Sequence, residues 1–171
     1  MTYNIHPLFV HFPIAFLFVY SVIKLLPMKK WIPSVAWRQV EHVLLLVGML
    51  GVCAAFWTGD AAEHIARPDR ALVEMHSTFA SITAWMYGLL LAGEALFIAN
   101  PYIAKKWNKP TLIKTLSAIE KSLTNRTLSA LLAILGLVAI SITGLLGGVM
   151  VYGLSADPVA PFVLKLLGIT L

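Results

Sequence analysis

The 171-residue chain is poor in charge: Asp, Glu, Lys and Arg together make up 12%. That is about half the share of a soluble globular domain. Such a balance excludes a disordered chain, a nucleic-acid-binding arm and an ordinary soluble enzyme. There is a single cysteine, Cys53, inside an apolar run, which excludes a disulfide framework and a Cys-x-x-Cys site. Residues Met1 to Val10 contain no Lys or Arg, and no small-residue cleavage site follows. The first hydrophobic segment is therefore expected to be a permanent helix and not a cleaved signal peptide. No P-loop, Ser-His-Asp arrangement, paired catalytic carboxylates, internal repeat or low-complexity stretch is present.

What is abundant is apolar surface. Hydrophobic residues make up 59% and the mean hydropathy is +0.83. The natural solvent for such a chain is a bilayer, and one spanning helix takes about 20 residues. The length fits an all-α transmembrane four-helix bundle in one integral membrane domain. The expected spans cover about residues 8–28, 36–58, 75–99 and 127–154. The last is the clearest, with no charged residue between Arg126 and Asp157. Between spans three and four, Asn108 and Pro110 suit a helix start. Leu112, Leu116, Ile119 and Leu123 then share a face that omits Lys114 and Lys121. This predicts a short amphipathic helix over about 109–123, lying on the cytoplasmic surface. The apolar tail from Pro158 is too short to span; the outer interface or a partner subunit is its expected contact.

Ten of the thirteen basic residues flank the first and third connections: Lys24, Lys29, Lys30, Arg38, Lys105, Lys106, Lys109, Lys114, Lys121 and Arg126. The positive-inside rule makes those connections cytoplasmic. Both termini and the loop from Gly59 to Glu74 then face the periplasm of a bacterial inner membrane. Lys24 is expected to snorkel, and the net charge of +5 signals topology, not a nucleic-acid partner.

Four of the five histidines, His6, His11, His64 and His76, fall on that outer side. His6 and His11 are five residues apart and point to different sides of a regular helix. They do not grip one ion together unless Pro13 bends the helix between their sides. His11 and His76 lie at a similar depth on different helices. Leu72, His76, Phe79 and Thr83 share one face. Two such histidines are the axial ligands that a b-type haem takes, with His6 and His64 as the other candidates. Arg67 and Arg70 stand just outside that level, suited to haem propionates. Gly144, Gly147 and Gly148 leave room for a close neighbour, whether a helix or a flat macrocycle. Helix packing is the plainer reading of these glycines. Tyr152 beyond them is a hydrogen-bond donor for a propionate or a quinone.

His42 and Glu94 approach one depth from opposite directions, about 9 Å inside the basic face. Intramembrane ionisable groups find partners. A His42–Glu94 hydrogen bond is the preferred expectation, and a proton or quinone head-group site the functional alternative. Asp60, Glu63 and His64 have a spacing that could hold a metal, but a solvated loop or helix cap is the plainer reading.

The run His6-Pro7-Leu8-Phe9-Val10-His11-Phe12-Pro13-Ile14-Ala15 resembles the opening of a bacterial family of four-helix membrane proteins of unknown function. Thr58-Gly59, His76 and Gly147-Gly148 with Val151-Tyr152 resemble its later motifs, in order over nearly the whole chain. The resemblance implies a four-helix inner-membrane protein. Redox membrane subunits, partnered with cytochromes or with molybdenum or iron–sulfur enzymes, are the implied company.

The leading expectation is a respiratory cytochrome subunit holding haem b between His11 and His76. It would move electrons between a periplasmic redox partner and a quinone or another membrane subunit. The alternative is a cofactor-free structural anchor of a larger membrane complex. A small-ion permease ranks last, because only His42 and Glu94 lie deep.

Overall fold

The computed structural model describes residues 5–66, 68–107 and 109–169. The described chain is all helix: α1 (His6–Leu25), α2 (Met28–Trp31), α3 (Trp37–Ala66), α4 (Arg70–Lys106), α5 (Pro110–Leu123), α6 (Arg126–Tyr152) and α7 (Ala160–Leu166). A 3₁₀ turn, Gly153–Ala156, joins the last two. Four helices, α1, α3, α4 and α6, are long and apolar enough to cross a membrane.

The spans pack as two pairs, α1 on α3 and α4 on α6, joined mainly where α1 meets α6. Glycines set the closeness within each pair. A Cβ built on Gly48 would stand 2.5 Å from Leu17, and one on Gly136 would stand 2.8 Å from the Tyr87 ring. The central core gathers Leu17, Tyr20, Leu45, Tyr87, Leu90, Leu132 and Ile140 from all four helices. At the end that carries His6, a second cluster buries Ala160 and Leu164 of α7 against Leu72, Leu146 and Val149. The apolar tail thus finds its partner within its own chain.

Two helices run further than the apolar pattern foretells. α3 continues to Ala66 and α4 starts at Arg70, so most of the expected loop from Gly59 to Glu74 is helical. The reason is local. Residues 60–66 include three alanines and a glutamate, good helix formers whatever their polarity. Asp69 then caps α4, its carboxylate accepting from the amides of Ala71 (2.8 Å) and Leu72 (3.3 Å). Asp69→Ala removes that cap. It is expected to cost about 1 kcal/mol and to lower the melting temperature in detergent by about 2–4 °C; an unchanged melting curve would show the cap to be idle.

α5 forms over nearly the expected residues, and part of its contact with α4 is polar. Ile119 is 43% exposed, whereas Glu120 turns toward α4 and accepts a hydrogen bond from Asn100. Leu123 meets α4 so closely that a Cβ on Gly93 would stand 2.8 Å from it. α5 packs on α4, which at 37 residues is about 55 Å long, against about 30 Å of bilayer hydrocarbon.

Candidate functional site

The predicted face of α4 points inward. Leu72 and Thr83 are buried, and His76 and Phe79 are half-buried between them. His76 Nδ1 lies 3.0 Å from the Thr143 carbonyl on α6. A carbonyl only accepts, so Nδ1 carries the proton and Nε2 the lone pair. Beside the ring stands Gly147, whose ideal Cβ would be 3.4 Å from His76 Cε1.

The other helix pair repeats this arrangement. His6 Nδ1, at the start of α1, lies 2.9 Å from Thr58 Oγ1 on α3. That hydroxyl donates to the Ala54 carbonyl at 3.0 Å, so it accepts from His6. Gly59 follows, with its ideal Cβ 3.5 Å from His6 Cε1. Each pair of helices therefore offers one imidazole, held at Nδ1 by a threonine and flanked by a glycine.

His6 is bonded to a neighbouring helix, through Thr58 of α3. His11 is exposed, and its Nδ1 bonds back to the Pro7 carbonyl one turn earlier on the same helix. The five-residue offset separates the two histidines by side, and the His6 side meets α3. Thr58 and Thr143 were not singled out as partners. Thr58-Gly59 had stood out only as a motif of the resemblance.

The remaining candidates spread over the same end. His64 and Arg70, with Glu63, Pro68 and Val73, line an open cleft of about 470 Å³. Arg70 is held by Glu74 at 3.0 Å; Arg67 lies outside the described residues. Gly144 faces Ile14 of α1 at a contact of 3.4 Å. Gly148 is half-buried on α6, and Tyr152 is 73% exposed at its end. Among the described residues, no three of His, Cys, Asp and Glu come together as a metal site, and Asp60, Glu63 and His64 are exposed on α3.

At the basic end, His42 Nε2 and Glu94 Oε2 meet at 2.5 Å, as their depths foretell. Arg38, read from sequence only as a topology signal, donates to the same oxygen at 3.0 Å. Its guanidinium lies 3.4 Å from the centre of the Phe97 ring, a cation–π contact. Lys24 does not simply snorkel; it binds Glu41 at 3.0 Å. Ser21, one turn from Lys24 on α1, and Tyr87, two turns from Glu94 on α4, bring their hydroxyls within 2.7 Å of each other.

A family model described as a predicted membrane protein (DUF2231) matches residues 2–157. No curated protein and no solved structure matches the chain.

Proposed function

The chain belongs to the DUF2231 family of predicted membrane proteins, and from that premise we propose that it is a b-type cytochrome subunit whose haem is held by His6 and His76. The observation that carries this reading is the pair of imidazoles on separate helix pairs, each anchored at Nδ1. Metal-bound histidines are held in this way, with the second nitrogen donating to a fixed acceptor. Two imidazoles suffice for haem, whose macrocycle supplies the remaining ligands. When bound, haem supplies reversible one-electron chemistry; the protein's part is to fix the ligands and surround them.

The chain's own residues have definable tasks. Thr58 and Thr143 set the tautomer and orientation of the two rings. Gly59 and Gly147 leave the imidazole edges uncrowded. Arg70 and His64, at the cleft on this end, offer cationic and hydrogen-bonding partners to propionate carboxylates. The basic connections orient the bundle with the histidine end toward the periplasm of a bacterial inner membrane. Electrons would pass between a periplasmic redox protein and a quinone or a second membrane subunit.

The deciding measurement is a dithionite-reduced minus air-oxidised visible spectrum of detergent-purified protein, with haem quantified per chain. A sharp b-type signal at about one haem per chain is expected from the bis-histidine reading. Protein made with ample haem and showing no signal would overturn it and leave the cofactor-free anchor subunit.

A further inference from the structure

α4 outruns α3 and α6 at the basic end. α3 meets it there through Arg38, which reaches Glu94 and Phe97, and α6 begins at Arg126. From Ile98 to Lys106, α4 continues for nine residues, about 13 Å. α5 returns along this stretch. Its Glu120 accepts from Asn100, and Leu123 lies against Gly93, so the two helices run antiparallel. They form a hairpin joined between Lys106 and Pro110.

The outward residues of the hairpin change along its length. Ile98 and Ile119 are exposed on the part nearer the bundle. Tyr102 follows, 74% exposed, and Trp107, 50% exposed, ends the outgoing arm. Lys105, Lys106, Lys109 and Lys114 are exposed around it. The pairing of Glu120 with Asn100 puts Lys114, six positions earlier, level with Lys106. From Ile98 to Lys105 the order apolar, aromatic, cationic takes about 10 Å. The headgroup layer of one leaflet is about 5–8 Å deep, and aromatic side chains collect at its boundary with the hydrocarbon. The hairpin therefore carries the profile of a bilayer edge.

The cations at the tip have no counter-charge within the chain. Glu120 is the one carboxylate between Glu94 and Asp157, and Asn100 holds it. Among the described residues, none of the four lysines makes an ion pair. A lysine cluster just past the end of a spanning helix is suited to anionic lipid. We propose that the tip of the α4–α5 hairpin binds anionic phospholipid headgroups of the adjoining leaflet. Lys105, Lys106, Lys109 and Lys114 meet the headgroup charge, and Tyr102 and Trp107 seat the hairpin at the interface. A zwitterionic headgroup has no net charge to offer them. The site lies at the opposite end from His6 and His76 and does not depend on haem.

Native mass spectrometry of the full chain in detergent, with phosphatidylglycerol or phosphatidylcholine added, tests this. Phosphatidylglycerol is expected to bind more tightly than phosphatidylcholine, and less tightly as salt rises. Each lysine near an anionic lipid surface is worth about fivefold in affinity, so Lys105→Gln with Lys106→Gln is expected to weaken phosphatidylglycerol binding about 25-fold. Lys105→Arg with Lys106→Arg keeps the charge and is expected to keep the binding. Lys29→Gln with Lys30→Gln removes the same charge from α2, where both lysines are also exposed, and is expected to leave binding nearly unchanged. Equal binding of the two lipids would overturn the proposal. So would equal losses from the two glutamine pairs, which would mean diffuse attraction to the net charge. Wild-type protein that binds no phosphatidylglycerol would overturn it as well, and leave an acidic protein as the hairpin's partner.

Discussion

His76→Ala and His6→Ala are each expected to reduce the haem content of the purified protein from about one per chain to near zero. His11→Ala is expected to leave content and spectrum unchanged. The argument rests on placement. His6 and His76 are half-buried and anchored across two helix pairs, whereas His11 is exposed and tied to its own helix. Thr58→Val, which removes the hydroxyl beside His6 Nδ1 and leaves the Ala55 backbone as a partner, is expected to weaken haem retention, by up to about 10–100-fold, with Thr58→Ser restoring it. Circular dichroism of each variant separates loss of haem from loss of fold. If His11→Ala abolished the signal while His6→Ala kept it, the ligand pair would revert to the one favoured by depth.

Overpacking at Gly51 is expected to give the largest loss of stability among glycine substitutions. A Cβ there would stand 2.8 Å from Pro13 Cδ and 3.1 Å from Pro13 N. A proline ring fused to the backbone has no rotamer into which to retreat, so α1 must shift away from α3. Gly51→Val is expected to cost about 1–3 kcal/mol or more. Gly88→Ala serves as the opposite case. Its nearest neighbour is Met49 Cε at 3.9 Å, and replacing a mid-helix glycine by alanine gains about 0.5–1 kcal/mol. Melting temperatures in one detergent should therefore move in opposite directions. Equal tolerance at both positions would mean that α1 and α3 do not meet as described.

The four spans were legible because a long apolar run has one reading in a bilayer. The inward face of α4 was legible too, since Leu72, His76, Phe79 and Thr83 repeat with the period of a helix. Depth alone foretold His42 against Glu94. Other features left no trace in such patterns. The helical stretch from Asp60 to Ala66 carries Asp60, Glu63 and His64 among its alanines, so the hydropathy signal ends before the helix does. That His6 bonds α3 while His11 bonds its own helix depends on how α1 pairs, which is tertiary information. Arg38 and Lys24 looked like topology signals because basic residues at a span's end usually are. Their pairing with Glu94 and Glu41 depends on three helices converging at one level.

The packing of α7 has a consequence for traffic. Ala160 and Leu164 press on Leu72, Leu146 and Val149, the turns of α4 and α6 next to His76 and Gly147. A molecule approaching the histidines along the bundle axis meets a roof on that side. It must come instead through the lipid between helices or by the cleft beside His64. An electron needs no such doorway, because it tunnels through packed side chains. The roof over the bundle axis thus leaves the cleft as the water-side approach to this end.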